Sequence, residues 1–475
     1  MSIPDVLASR YASTGMVGLW SPAHKVVLER RLWVAVLRAQ RDLGVDVPDG
    51  VIEAYEAVVD DVDLASIEAR ERVTRHDVKA RIEEFCALAG HEHVHKAMTS
   101  RDVTENVEQL QIRRSLELVH DRMVAAAVRL GRLAAEHAGL VMVGRSHNVA
   151  AQATTLGKRF ASGGEELLVA LARVDELLAR YPLRGITGPM GTAQDQLDLL
   201  GGDAAKLATL QQTIAGYLGF DRVLGSTGQI YPRSLDLDVV AALVQAAAAP
   251  ASLATTVRLM AGQDLVTEGF AAGQVGSSAM PHKMNARTCE RICGLAVVLS
   301  GHLAMVTGLS GHQWNEGDVS DSVVRRVALP GAFFAVDGLF QGFLTVLDEL
   351  APFKAMIESE LLWSLPYLAS TKVLTAAVRA GVGREQAHEI IAEHARLAAA
   401  ERRERGAWGS SDELLDRWAK DERLRLSRAD IDRAIGDPIL LTGAAAQQVA
   451  AFVRRTERLA EQYPRASAYR PEPIL

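Results

Sequence analysis

Aromatic side chains are scarce in this chain, at 5% of 475 residues. A polymer-binding surface that stacks bases on rings set among lysines and arginines has little to be built from. Positive charge is not in excess either. Fifty-two Lys and Arg stand against 59 Asp and Glu, a formal net charge of −7, and no basic stripe gathers them. The composition excludes a nucleic acid polymer as an expected partner. It leaves room for a small anion held by a local cluster of cations.

Cysteine is rarer still. Cys86, Cys289 and Cys293 make an odd count without framework spacing, and the last two fall one helical turn apart. No disulfide scaffold is expected, and the pattern reads as a reduced, cytoplasmic protein. The N-terminus lacks a basic region followed by an apolar core, with Asp5 and Arg10 interrupting early, so no signal peptide is predicted. One charge-free run, Val239 to Val257, is long enough to suggest a membrane span. It is dominated by alanine and broken by Gln245, Pro250, Ser252, Thr255 and Thr256, which predicts a buried core helix rather than a membrane partner.

Alternating β-branched runs are few, and helical periodicity prevails almost everywhere. The expected fold class is all-α in three domains: an N-terminal helical domain (1–101), a central bundle of long helices (102–351) and a C-terminal helical domain (352–475). Breakers place the long helices at roughly 102–139, 149–180, 233–270, 287–310 and 320–350. Helices of that length imply an elongated bundle. The proline-rich tail from Pro464 to Leu475 reads as poorly ordered.

The most informative stretch is 273–291, where glycines, Ser277, Ser278, Pro281, Lys283 and Asn285 interrupt long alanine-rich helices. Hydroxyls, one positive charge and an amide on a pliable loop suit a segment that closes over an anionic substrate. A solvated turn is the plainer reading. Gly144-Arg145-Ser146-His147-Asn148 lies where one long helix is expected to end and the next to begin, and His147 there can shuttle a proton near neutral pH. Arg75-His76-Asp77-Val78 and Thr99-Ser100 each open a helix. Simple capping competes there with anion binding by hydroxyls and backbone amides. Ser322 and Arg326, four apart, share a helix face and make a clamp for phosphate or carboxylate. Arg10, Tyr11 and Gln229 are uninformative alone. His91-Glu92-His93-Val94-His95 matches the zinc-protease pattern by letter, but Gly90 sets it at a turn, and no metal is expected there.

Taken in order, these blocks resemble the fumarase/aspartase superfamily: Ser-Ser-Ala-Met-Pro-His-Lys-Met-Asn as its signature loop, and the His147 block followed by Thr154, Thr155 and Gly157. Arg10-Tyr11, Arg75-His76-Asp77-Val78, Thr99-Ser100, Gly225–Gln229, His282, Asp318…Ser322…Arg326 and Gly383–His388 resemble the adenylosuccinate lyase family within it. The resemblance implies β-elimination of fumarate from a succinylated nucleotide, with no cofactor, in a homotetramer whose active sites are shared between subunits. It implies Ser277 as the base and His147 as the acid. Arg10, Tyr11, Arg75, His76 and Asp77 become nucleotide contacts, and Ser322 and Arg326 phosphate contacts. Thr99, Ser100, Lys283 and Asn285 fall on the succinyl side, with Ser278 and Gln229 further substrate contacts. Two departures stand out. Glu316-Gly317-Asp318 replaces the family's Glu-Arg-Asp, a change that bears on substrate binding and for which Arg325 is a candidate substitute, and Asn285-Ala286 replaces Asn-Pro. A sister lyase or cycloisomerase is the nearest other enzyme, and a paralogue with only a binding role is the other class of reading.

Overall fold

The computed structural model describes residues 5–269, 280, 282–405 and 412–473. Two short helices, α1 (Val6–Arg10) and α2 (Thr14–Leu19), lead into α3 (Pro22–Asp42), capped by the Ser21 hydroxyl. Then come α4 (Val51–Ala57), α5 (Leu64–Thr74) and α6 (Asp77–Ala89). The 37-residue α7 (Ser100–Glu136) begins at Thr99, whose N–H donates to Asp102 at 2.8 Å. At 1.5 Å per residue it is about 55 Å long, which sets the length of the molecule's central bundle.

A hairpin follows where unbroken helix was expected. Strands β1 (Val141–Ser146) and β2 (Val149–Thr155) pair antiparallel, and α8 starts only at Leu156 and runs to Arg180. The reason is local: β-branched Val149, Thr154 and Thr155 favour extended backbone, and the Thr155 hydroxyl caps α8 by accepting from Lys158 N at 3.0 Å. The Gly144–Asn148 block is therefore a hairpin turn and not a helix junction, with His147 and Asn148 at positive φ (53° and 61°).

Beyond α9 (Gln194–Leu199) and α10 (Ala204–Leu218) comes α11 (Ser234–Ala261), eight or nine residues shorter at its C-terminal end than expected. Its chain turns at Gly262, and β3 (Val266–Thr267) pairs with β4 (Ala351–Pro352). Between them lie α12 (Arg287–Thr307) and α13 (Ser320–Glu349). Helices α7, α8, α11, α12 and α13 pack side by side as the central bundle. After it come α14 (Lys354–Leu368), α15 (Ser370–Arg379), α16 (Arg384–Arg405), α17 (Asp412–Lys420) and α18 (Arg428–Ile435), then α19 (Ala445–Gln462) and α20 (Pro464–Ser467).

One hydrophobic core joins α3 and its neighbours, the bundle, and Val449, Phe452 and Ala466 of the last two helices. A second, smaller core lies among α15–α18 around Trp418. By length and composition, α11, α12, α13 and the stretch 354–379 are apolar enough to cross a membrane. For α13 the explanation is burial within the chain, since 89% of its apolar window is covered. The expected core helix 239–257 lies inside α11, with Val239, Leu243, Ala246, Pro250 and Val257 buried, while only 33% of the α12 window is covered.

Against expectation, residues 464–473 of the tail are held by tertiary contacts. Tyr469 lies under the Arg122 guanidinium and donates through its hydroxyl to Gln341 Oε1 at 2.9 Å. Glu472 accepts from both Thr14 N (2.8 Å) and Thr14 Oγ1 (3.0 Å). A proline-rich composition signals little intrinsic helix, but these contacts are tertiary and leave no local pattern.

Midway along α7, His120 Nε2 sits 3.0 Å from Asp175 of α8, with Asp121 at 3.6 Å and Tyr463 edge-on. Burial alone would lower the imidazole pKa; the two carboxylates outweigh it and raise it to about 9. A raised pKa means the contribution to stability is complete below the ordinary value of 6.5 and is lost as pH climbs through about 9. Thermal unfolding of His120→Gln should therefore fall short of the parent at pH 6 and converge with it above pH ~9.5. A gap that is constant with pH would refute the assignment.

Candidate active site

Four separate segments converge on a cleft of about 360 Å3, lined by Lys25 of α3, Arg75, His76 and Asp77 at the α5–α6 junction, Ser100, Arg101 and Glu108 of α7, and Ser322 and Arg326 of α13. Arg75 ends α5 in the left-handed region at φ 51°, a conformation uncommon for a side chain larger than glycine, and this turns the chain sharply into α6. His76 caps α6, its Nδ1 accepting from Lys79 N at 3.3 Å. Burial opposes ionisation of Asp77, but Arg81 at 3.0 Å and the Val78 N–H outweigh it and hold the carboxyl below its ordinary value. Ser322 and Arg326 do share the cleft-facing side of α13.

Behind the cleft lies a layer of buried ion pairs. Asp102 accepts from Arg184 Nη1 (2.7 Å) and from the N–H groups of Thr187 and Gly188 (3.0 Å each). Arg184 also donates to Gly228 O at 3.1 Å, joining the 225–229 loop to the start of α7. Glu105 binds Arg233 at 2.9 Å and accepts from Tyr231 N at 3.1 Å. Arg325 donates to Asp236 at 2.8 Å and pairs with Glu108 and Tyr231. The desolvation of Glu108 is overcome by Arg325 and Lys25, which keep it well below the usual carboxylate range.

This overturns the expectation that Arg325 replaces the guanidinium missing at Gly317. Arg325 is buried and its donors are committed to the layer behind the cleft. Gly317 itself sits at φ 132°, which a side chain rarely adopts, and a Cβ there would lie 3.0 Å from Ile230. Its neighbour Glu316 crosses Gly228 so closely that a Cβ on Gly228 would be 2.2 Å from the Glu316 carbonyl, and Gln229 N donates to that same oxygen at 2.6 Å.

The other expected residues lie elsewhere. Thr99 caps α7 and holds Asp102 rather than lining the cleft. Arg10 ends α1, and the Tyr11 backbone packs on α13, where a Cβ at Gly338 would be 3.0 Å from the Tyr11 carbonyl. Gln229 is half-buried in its loop and does not line the cleft. His147 is exposed at the hairpin turn, which is braced by the Arg145–Glu360 ion pair to α14. Arg145 and Asn148 beside it line a second cleft of about 560 Å3 with Thr154, Lys158 and Arg159. Lys283, Asn285 and His282 line a third, of about 670 Å3, with Arg258, Glu268 and Phe353. Glu268 accepts from Thr288 N (2.8 Å) and Cys289 N (2.9 Å), anchoring the start of α12. Burial and this carboxylate push the Cys289 thiol well above its ordinary pKa, so it stays protonated. Ser277 and Ser278 lie outside the described residues. His95 of the zinc-like pattern accepts from Trp33 Nε1 at 3.0 Å, a structural contact.

Lys25, Arg101 and Glu108 are cleft residues that sequence reading missed. Lys25 carries no local motif, and Arg101 is legible only as part of a cap.

A family profile described as "Lyase" matches residues 21–301, and one described as "Adenylosuccinate lyase C-terminus" matches residues 366–452. The chain is 35% identical over 456 residues to the adenylosuccinate lyase of Saccharomyces cerevisiae, covering 94% of this chain and 93% of that one. To that of Schistosoma mansoni it is 32% identical over 452 residues, covering 94% and 93%. Among solved structures, a 3-carboxy-cis,cis-muconate lactonizing enzyme from Pseudomonas putida superimposes with a TM-score of 0.81 at 19% identity, over 96% of this chain and 100% of that one. A fumarate lyase from Mesorhizobium gives 0.80 at 20%, over 94% and 98%. Those likenesses show the fold, that of the fumarase/aspartase lyases. The chain belongs, within that superfamily, to the adenylosuccinate lyase family.

Removing Asp102 would strand Arg184 without its carboxylate where both side chains are fully buried. Asp102→Ala should cost on the order of 3–5 kcal/mol of stability, read as a lowered unfolding midpoint. An unchanged midpoint would show that the buried layer does not hold these loops.

Proposed function

We propose that the chain eliminates fumarate from adenylosuccinate, leaving AMP, and from SAICAR, the related succinylated imidazole-carboxamide ribotide, leaving AICAR. The observation that carries this reading is the convergence of Arg75, His76, Asp77, Ser100, Ser322 and Arg326 on one cleft in a chain of this family. Guanidinium groups, hydroxyls and the N-terminus of α7 suit a phosphorylated ligand.

The reaction needs a base to take a proton from the succinyl carbon. The electron pair then forms the fumarate double bond as the carbon–nitrogen bond breaks, and an acid gives a proton to the departing nitrogen. We assign Ser277 as base and His147 as acid. Lys283 supplies the positive charge that favours the serine alkoxide or the carbanion's carboxylate, and Ser278, Thr99 and Asn285 hold the succinyl group. Arg10, Tyr11 and Gln229 remain assigned to the substrate. Incubation of the purified protein with adenylosuccinate should yield fumarate and AMP in equal amounts; no product would sink the reading. Ser277→Ala should slow turnover by roughly 10²-fold or more, and a near-normal rate would remove the serine from its role.

Within one chain Lys283 and Asn285 line one cleft, Arg75, Asp77, Ser322 and Arg326 line another, and His147 is exposed at the hairpin turn. We infer a homotetramer in which three subunits complete each site. Supporting it is the uncovered apolar side of α12, with Val297 at 72% exposure and Val298 and Met305 also exposed, a face that a second copy of the helix would bury. A cytoplasmic location is our reading of three free thiols. Co-expressed His147→Gln and Ser277→Ala chains, each inactive alone, should regain part of the activity in mixed assemblies. A mixture as dead as its components would exclude shared sites.

A further inference from the structure

Gly317 leaves the substrate region one guanidinium short of the Glu-Arg-Asp that the resemblance implies, and Arg325 is committed elsewhere. We propose that Arg101 supplies the missing group and contacts the substrate's phosphate, an inference that rests on the nucleotide reading above.

Four cations line the cleft: Lys25, Arg75, Arg101 and Arg326. Arg101 is the one whose guanidinium lies against the segment that lost its arginine. Its Nη2 donates to the Asp318 carbonyl at 3.1 Å, immediately after Gly317, and stands 3.8 Å from Asp321. Its Nη1 donates to Glu105 at 2.9 Å. These two bonds fix the plane of the group while engaging only part of the five N–H donors a guanidinium carries. Glu105 does not consume the charge alone, because Arg233 also binds it at 2.9 Å. The side chain of Arg101 keeps 12% exposure where its neighbours Arg233 and Arg325 are at 2% and 3%, and of these three arginines it is the one that lines the cleft. Ser322 and Arg326, on the matching phosphate positions, line the same cavity.

Gly317 and Arg101 thus form a pair. Glycine at φ 132° lets the backbone at 317 run close against Ile230, and the Asp318 carbonyl that follows accepts from Arg101 and orients it. The guanidinium arrives from the helix beneath the loop instead of from the loop.

The test compares AMP with adenosine as competitive inhibitors, together with KM and kcat for adenylosuccinate. For Arg101→Gln the expected result is a KM raised roughly tenfold or more with a smaller change in kcat, and an AMP-over-adenosine preference reduced by a similar factor. Arg101→Lys keeps a charge for Glu105 and serves if the glutamine variant does not fold. It should also lose part of the preference, because an ammonium cannot reproduce the planar fork. A folded variant that retains the full preference for AMP overturns the proposal. An unsubstituted enzyme that binds AMP no better than adenosine would instead overturn the nucleotide reading beneath it.

Discussion

Everything in the cleft depends on three carboxylates spaced three residues apart on the first turns of α7: Asp102, Glu105 and Glu108. Buried charges survive only when paired and hydrogen-bonded, so each carboxylate compels something else to come to it. Asp102 draws in Arg184 and the 187–188 amides, Glu105 draws in Arg233 and Tyr231 N, and Glu108 draws in Arg325. Those partners lie on the 184–188 loop, at the head of α11 and at the head of α13. The hydrophobic core sets these helices side by side, but apolar packing tolerates sliding. The ionic layer does not, and it fixes the level at which Ser100, Ser322 and Arg326 face one another.

A long bundle with its polar layer at one level carries a functional consequence. The segments bearing His147 and Lys283 leave the bundle at other places: the first on a hairpin braced by α14, the second just before α12, where Glu268 holds the helix start. Helices of 21 to 37 residues cannot fold back to bring these points together. Rigidity makes each partial cleft precise and keeps the clefts apart within one chain. Under the function proposed above, association of bundles through α12 would join them.

The departure at Gly317 shows how a site can keep its electrostatics while changing its supports. Losing a loop arginine removes a charge. In this chain Gly317 takes φ 132° against Ile230, while the close crossing of Glu316 over the 225–229 loop depends on the glycine at 228. Substitution at one position is thus absorbed by geometry several residues away, with the flanking carbonyl positioning a helix-borne guanidinium.

Much of this was legible in the order of residues. Breakers and periodicity place α7, α12 and α13 to within a few residues, because long amphipathic or apolar runs between caps leave a helix no competitor. The Arg75–Asp77 and Ser322/Arg326 motifs are visible because one helix start or one helix face carries each of them. The β1–β2 hairpin was missed because two short strands pair with each other, and a 3.6-residue pattern continues plausibly through Thr155. The tertiary contacts of the tail, the burial of Arg325 and the presence of Lys25 and Arg101 in the cleft left no local trace. Sequence by itself determined the helical class, the family and the chemistry-bearing blocks, since composition, caps and spacing act over a few turns. Only the tertiary structure decided which charges face the cleft and which are spent holding it together, because that depends on pairings between residues some 80 to 220 positions apart.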